Sequence, residues 1–190
     1  MCGITGIVDL KNFVREERDT LIGMTEMLTT SGVADLWFST FVGFGYKYLD
    51  DRGTVQKKIN GNMYAIVYSG SLSNKKDTRN KLLEKGHSIP SSSDAETMLT
   101  SYIEWREDCL DFLIGNFVFA VWDENKQELF LTTSQGSNKL IYYAFDSHRF
   151  LFGTELNAIV KHHKVSLENI KELQLGHSLL FSKDNVKLKN

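Results

Sequence analysis

The stretch MCGITGIVDL, residues 1–10, places a cysteine directly after the initiator methionine and ahead of an apolar, β-branched run. That run predicts a buried strand that holds the start of the chain in place. Removal of Met1 would leave Cys2 with both a thiol and a free α-amino group. The ordinary pKa values are about 8.5 for the thiol and about 7.7–8.0 for the amine. The amine can therefore accept the thiol proton near neutral pH without a separate histidine. An alternative interpretation of Cys2 alone is a small buried residue with no chemistry.

The length and composition indicate one sizeable domain, which we expect to span residues 1–190. The net charge of -2 provides no basic field for nucleic acid. Two cysteines, Cys2 and Cys109, and no apparent signal peptide favour a reducing, cytoplasmic compartment over a disulfide scaffold. No apolar run approaches the roughly 20 residues that a membrane-spanning helix needs. We therefore expect neither a nucleic-acid nor a membrane partner.

Apolar periodicity and turn residues predict the order of the elements. Helices are expected at 15–28, 74–85, 95–106 and 155–161, with Ser93 or Asp94 as the N-cap of the third. Strands are expected at 37–49 (one or two), 63–68, 117–122, 129–133, 141–145, 150–153, 178–181 and 186–188. Because strands and helices are segregated along the chain, the pattern favours an α+β layered fold over a doubly wound parallel sheet.

Several stretches together resemble the class II glutamine amidotransferases, which are N-terminal nucleophile hydrolases. The start Met1-Cys2-Gly3-Ile4 looks like the start of that family. The later stretches are similar to the glutaminase domain of glutamine-dependent asparagine synthetases. They are Gly86-His87, Ser93–Thr97, Cys109–Asp123, Leu140–Tyr143, Phe152–Leu156 and Leu175–His177. The resemblance covers nearly the whole chain and implies a four-layer αββα sandwich, with Cys2 at the end of a central strand.

The resemblance also implies a reaction at Cys2. The thiolate attacks the side-chain amide of glutamine, and backbone and side-chain donors stabilise the oxyanion. Ammonia then leaves, and water releases glutamate from the thioester. Asp94 matches the family residue that binds the α-amino group of the substrate, and Gly70 matches the glycine whose backbone N–H lines the oxyanion hole. Neither a cofactor nor a metal is implied.

Some site positions depart from the family pattern. Ser69-Gly70-Ser71 stands where the family has asparagine-glycine-glutamate, so a short hydroxyl replaces the amide donor of the oxyanion hole. The loss of one such donor typically costs about 3–4 kcal/mol in the barrier. The arginine expected for the substrate carboxylate is missing, and Lys47 could replace it only as a point charge. The candidate substrate-binding residues are therefore Asp94, Gly70, Ser69, Ser71 and Lys47.

No serine-glycine-glycine-x-aspartate-serine pyrophosphate loop occurs in residues 1–190, so we expect no synthetase domain within them. We expect a stand-alone glutamine amidotransferase or glutaminase, active once Met1 is removed, that delivers ammonia to a separate synthetase subunit. Two alternatives stay open. One is a catalytically degenerate relative that acts as a binding or regulatory module. The other is an N-terminal nucleophile hydrolase for another amide. The expected ligand is glutamine or a related amide, and a homodimer is left open.

Overall fold

The computed structural model describes residues 3–48, 54–146, 148–160, 165–183 and 185–189. Cys2, the predicted nucleophile, lies outside these ranges. The helices are α1 (Arg18–Glu26), α2 (Lys75–Glu84), α3 (Asp94–Trp105) and α4 (Leu156–Val160). The strands are β1 (Gly3–Asp9), β2 (Val33–Phe38), β3 (Val42–Tyr48), β4 (Thr54–Ile59), β5 (Asn62–Leu72), β6 (Gly115–Asp123), β7 (Glu128–Thr133), β8 (Ile141–Asp146), β9 (Arg149–Gly153), β10 (Ile170–Leu173), β11 (Ser178–Ser182) and β12 (Asn185–Lys189). None of the helices in the described ranges is long and apolar enough to cross a membrane.

Two antiparallel sheets form the centre of the described protein. The first has the order β10-β8-β9-β1-β3-β2, and the second has the order β12-β11-β7-β6-β5-β4. Side chains such as Ile4 and Trp122 fill the space between the sheets. Met98 and Tyr102 of α3 cover the outer face of the second sheet, and Leu21 of α1, together with residues of α4, covers the outer face of the first. The arrangement is a four-layer αββα sandwich of the α+β class, which confirms the predicted fold.

Strand β1 lies in the interior of the first sheet, paired with β3 on one side and with β9 on the other. Ile4 and Val8 point between the sheets, whereas Ile7 points toward α1. All seven of its residues are buried, because layers of protein cover both faces. This explains why Ile4, Ile7 and Val8 supply apolar side chains to both faces of the strand, instead of an alternation of apolar and polar residues. The strand fixes Gly3 at one end of the sheet.

Several details of the elements differ from the predictions. Strand β5 continues to Leu72, so Ser69-Gly70-Ser71 belongs to the strand and is not the turn that ends it. The pairing of Gly70 with Phe117 of β6 overrides the turn propensity of this tripeptide. Asn74 occupies the N-cap position of α2, but its side chain bonds to the backbone of Phe112 and Ile114 instead of capping the helix.

Candidate functional site

A cavity of about 510 Å³ opens at the start of β1. Its wall combines Gly3 with the segment 29–31 after α1, Lys139 from the β7–β8 connection, and Thr154 and Glu155 after β9. The Ile4 N–H donates a hydrogen bond to Thr154 Oγ1 at 3.2 Å, and Glu155 Oε1 accepts from the Thr29 N–H at 2.9 Å. These two hydrogen bonds therefore join the segments after α1 and β9 around the start of β1.

The predicted nucleophile, Cys2, lies outside the described residues, so its role stays a prediction. Its neighbour Gly3 lines the cavity. A Cβ atom added to Gly3 would lie 2.9 Å from Leu28 Cδ2, which is closer than ordinary side-chain contacts allow. This atom belongs to the flexible end of the Leu28 side chain, so a larger residue at position 3 would require Leu28 to shift, whereas glycine lets Leu28 pack directly against the strand.

Lys47 lies opposite Gly3 in the pairing of β3 with β1. Its ammonium donates hydrogen bonds to the backbone oxygens of Glu26 at 2.9 Å and Leu28 at 2.8 Å. Carbonyl groups at the end of a helix lack partners within the helix and favour a cation nearby. The charge of Lys47 is thus already used at the end of α1, and its contact with a substrate carboxylate stays a prediction.

Ser69 contacts Lys139, a cavity residue that no motif in the sequence singles out. Its side chain is buried, and its Oγ lies 2.5 Å from the ammonium of Lys139, which lines the cavity wall. Lys139 lies in the connection between β7 of the second sheet and β8 of the first, so it spans the two sheets. The sequence shows only that Lys139 is a charged residue just before the apolar strand β8. Its contact with Ser69 becomes visible only in the folded structure.

Gly70 has a backbone φ of +122°, a conformation that residues with a side chain rarely adopt. A Cβ atom at this position would lie 2.1 Å from the backbone oxygen of Asn116 on the neighbouring strand. The position therefore requires glycine on both conformational and steric grounds. The adjacent Ser71 is exposed. The direction of the Gly70 N–H toward an oxyanion and the contact of Ser71 with substrate both stay predictions.

Asp94 is the first residue of α3, and Ser93 is the N-cap, since Ser93 Oγ accepts a hydrogen bond from the Glu96 N–H at 3.2 Å. The two carboxylate oxygens of Asp94 have different partners. One accepts from the Leu72 N–H at 2.8 Å, and the other lies 2.8 Å from the ammonium of Lys75. Asp94 thus joins the ends of β5, α2 and α3, and it already binds a cation.

The described candidate residues fall into two neighbouring groups. Lys47 lies beside Gly3 in the first sheet, whereas Ser69, Gly70 and Ser71 lie at the end of β5 in the second, next to Asp94. Among the described residues, none of these candidates lines the 510 Å³ cavity, and Ser69 is connected to it through Lys139.

Cys109, the second cysteine, is fully buried beneath α3. Burial raises the pKa of its thiol far above the ordinary value, because the apolar surroundings disfavour the thiolate. Cys109 is therefore protonated at neutral pH and cannot replace Cys2 as a nucleophile.

Comparison with known proteins matches the whole chain to one family model. The model is described as a glutamine amidotransferase domain and matches residues 1–189. The chain is 36% identical over 220 residues to "Asparagine synthetase [glutamine-hydrolyzing] 3" of Bacillus subtilis (strain 168), which covers 99% of this chain and 36% of that protein. It is 24% identical over 168 residues to "Asparagine synthetase [glutamine-hydrolyzing] 1" of the same strain, covering 84% of this chain and 27% of that protein. The chain spans about a third of the length of these curated relatives.

Among solved structures, the fold is similar to the glutamine phosphoribosylpyrophosphate amidotransferase from B. subtilis in complex with ADP and GMP. The TM-score is 0.76 at 14% sequence identity, and the match covers 99% of this chain and 49% of that chain. A second similar structure is described as the allosteric regulatory enzyme of purine biosynthesis, with a TM-score of 0.77 at 13% identity, and covers 99% of this chain and 48% of that chain. At these identities the likeness establishes the fold alone.

Proposed function

This chain belongs to the glutamine amidotransferase domain family, and from that membership we propose that it hydrolyses glutamine to glutamate and ammonia through Cys2. The observation that carries the proposal is the match of the family model to residues 1–189. The cavity beside Gly3 supports it, because a substrate needs an open space next to the residue that carries the nucleophile. The proposal requires removal of Met1, which frees the amine of Cys2 to act as the base.

The proposed reaction has two covalent stages. The amine of Cys2 takes the thiol proton, and the sulfur forms a bond to the amide carbon while the carbonyl π electrons move to oxygen. The C–N bond then breaks, and the protonated amine gives its proton to the departing ammonia. Water then attacks the thioester carbon while the amine takes one of its protons, the C–S bond breaks, the sulfur regains that proton from the amine, and glutamate is released.

The proposed substrate contacts use the candidates on both sheets. Asp94 would bind the α-ammonium group, and Ser69 with the Gly70 N–H would face the oxyanion. Lys47 and Ser71 would lie at the carboxylate end of the substrate. Proximity at the end of β5 supports the assignment of Asp94 and Gly70, since the Leu72 N–H binds the Asp94 carboxylate directly.

We propose that the released ammonia is used by a synthetase on a separate subunit. The curated relatives are named as glutamine-hydrolysing asparagine synthetases, and this supports an amidotransferase that works with a synthetase. Mixing this protein with a candidate synthetase should couple glutamine hydrolysis to product formation, whereas the Cys2→Ala variant should not.

The direct test incubates protein of verified mass, lacking Met1, with glutamine and measures glutamate release. Wild-type protein should release glutamate, and Cys2→Ala should not. Cys109→Ala is the matched control, because it removes the other thiol but leaves Cys2 intact. Equal rates for wild type and Cys2→Ala would contradict the proposed activity. A panel of other amides would then reveal whether Cys2 hydrolyses an amide other than glutamine.

A second candidate function is a binding or regulatory module without catalysis. Two observations favour it, namely the ion pair of Asp94 with Lys75 and the bonds of Lys47 to the carbonyls of α1. Both charged groups proposed for substrate binding are already engaged. Covalent labelling of Cys2 by a glutamine-mimicking electrophile, detected by peptide mass, would argue against this function, and absence of labelling in protein lacking Met1 would support it.

A further inference from the structure

The contact between Lys139 and Ser69 places a positive charge where the family's amide donor is missing. Ser69 occupies the position that the family fills with asparagine, and Lys139 Nζ lies 2.5 Å from its hydroxyl oxygen. Lys139 also lines the cavity that contains Gly3, the residue next to Cys2. One side chain therefore contacts both the altered position and the space in which the substrate would lie.

The direction of the hydrogen bond between Lys139 and Ser69 follows from the chemistry of the two groups. An ammonium group has three N–H donors and no acceptor, so it donates to the serine oxygen. The serine hydroxyl is buried, and a charged donor in such a place forms a stronger hydrogen bond than a neutral one. Ser69 thus acts as an anchor that orients the end of the lysine side chain.

We propose that Lys139 is a further catalytic residue, whose ammonium stabilises the oxyanion in place of the missing amide donor. This inference rests on the proposed glutaminase function. When the sulfur of Cys2 bonds to the amide carbon, the carbonyl π pair moves to oxygen and creates a full negative charge. The Lys139 ammonium donates a hydrogen bond to that oxygen and keeps its proton throughout. Collapse of the oxyanion re-forms the C=O bond and expels ammonia.

The charge of Lys139 compensates for the short reach of Ser69. Oxyanion stabilisation depends on donors that are already oriented toward the developing charge before the reaction begins. A serine hydroxyl extends less far than an asparagine amide, but the Lys139 side chain that it anchors also lines the cavity. In this proposal the oxyanion site is retained at the Ser69 position, with the Lys139 ammonium in place of the asparagine amide donor.

The test compares steady-state glutamine hydrolysis by wild type, Lys139→Met and Lys139→Arg. Removal of an oxyanion donor typically lowers kcat by about 10²–10³-fold, and we expect a loss of this size in Lys139→Met with KM changed little. Lys139→Arg keeps the charge and should recover part of the activity. Lys126→Met is the matched control, since Lys126 is largely exposed and does not line the cavity.

A second measurement separates a role at the oxyanion from a role at the thiol. Iodoacetamide alkylates cysteine by displacement at carbon and creates no oxyanion. The rate of Cys2 alkylation, followed by peptide mass, should be the same in Lys139→Met and wild type. Alkylation that slows in proportion to kcat would overturn the proposal, because Lys139 would then act on the nucleophile itself.

The remaining outcomes distinguish this inference from the proposed function. If wild type hydrolyses glutamine no faster than Cys2→Ala, both the proposed function and this inference fail. If wild type is active and Lys139→Met keeps kcat within about twofold, this inference alone fails. Should Lys139→Met not fold by circular dichroism, Lys139→Gln keeps N–H donors without charge and is measured instead. Its kcat should fall at least tenfold, and an unchanged kcat would overturn the proposal.

Discussion

Several charged side chains of the candidate site already have partners within the protein. Lys47 binds carbonyl oxygens of α1, Asp94 pairs with Lys75, and Lys139 donates to Ser69. A zwitterionic ligand would have to join or displace these contacts, so its affinity reflects the exchange of one set of ionic bonds for another. The strength of the internal contacts thereby becomes a determinant of ligand binding.

Lys75→Met should lower the KM for glutamine if Asp94 binds the α-ammonium group of the substrate. The ammonium of Lys75 occupies one oxygen of that carboxylate at 2.8 Å, and it would compete with the substrate for it. The Lys75 side chain is 40% exposed, so solvent screens the pair, and such pairs are worth roughly 0.2–1 kcal/mol. We therefore expect KM to fall by about two- to fivefold, measured by steady-state kinetics.

Lys76→Met serves as the control, because Lys76 is the exposed neighbour of Lys75 on α2. Its KM should equal that of wild type. A higher KM in Lys75→Met would instead indicate that the lysine contributes to binding, for example at the substrate carboxylate.

Individual site residues differed in how far the sequence could identify them. Asp94 and Gly70 could be named because they lie within short motifs whose order is preserved. Lys139 could not, because its partner Ser69 is 70 positions away and meets it only when the two sheets stack. The bonds of Lys47 to α1 depend likewise on the register of β3, which no local pattern specifies.

Strand β5 shows how an element forms against its local sequence preference. Serine and glycine favour turns, yet Ser69-Gly70-Ser71 continues the strand because β6 supplies pairing partners as far as Gly115. Strands β4 and β10 were not predicted. Their exposed positions carry polar residues, which weakens the apolar signal on which strand prediction depends. Buried strands such as β6 were identified because nearly every residue in them is apolar.

The contact between His87 and Glu104 connects the end of α2 to α3 and should make stability depend on pH. His87 Nε2 lies 2.7 Å from the Glu104 carboxylate, and this hydrogen bond lowers the pKa of Glu104 below its usual value. A carboxylate with a lowered folded pKa stabilises the protein fully above the unfolded pKa, about 4.3 for glutamate. The contribution is lost as pH falls through the folded pKa.

Glu104→Gln should therefore reduce the free energy of unfolding at pH 6 by less than about 1 kcal/mol, since the pair is partly exposed. Urea unfolding at pH 6 and pH 3 would measure the difference in free energy of unfolding between Glu104→Gln and wild type, and we expect this difference to be smaller at pH 3. A difference that grows toward pH 3 would contradict this account of the contact.

At the scale of the whole molecule, the described residues form three apolar cores, one between the sheets and one beneath each helical layer. The layered class was predictable because helices and strands are segregated along the sequence. The order of strands in each sheet was not, since β1 pairs with β9 across more than 130 positions and nothing local encodes that choice. Such pairings depend on the shape of the complete core.

The link between the second sheet and its helical layer includes a half-buried ion pair. Asp123 at the end of β6 is fully buried, and its carboxylate lies 2.8 Å from the guanidinium of Arg106, just after α3. Arg106→Met would leave the buried carboxylate without its cation, and because the Arg106 side chain is 39% exposed the expected cost is that of an unsatisfied buried acceptor, about 1–3 kcal/mol. We expect a loss of this size in the free energy of unfolding, measured with urea.

Two further variants test the explanation. Asp123→Asn in the Arg106→Met background should recover part of the loss, because it removes the uncompensated charge. Lys126→Met should change stability by no more than about 0.5 kcal/mol, since its pairing with Glu128 lies at the surface. Equal losses in all three variants would refute the role of the buried charge.

The interior position of β1 has a practical consequence for anyone producing this protein. An affinity tag fused ahead of Met1 would block the amine of Cys2 and would emerge beside the cavity, next to a glycine that packs tightly against Leu28. Strand β12, by contrast, is the outermost strand of its sheet. A tag or fluorophore attached after it would leave from the periphery, and that end is the one to choose for purification and labelling.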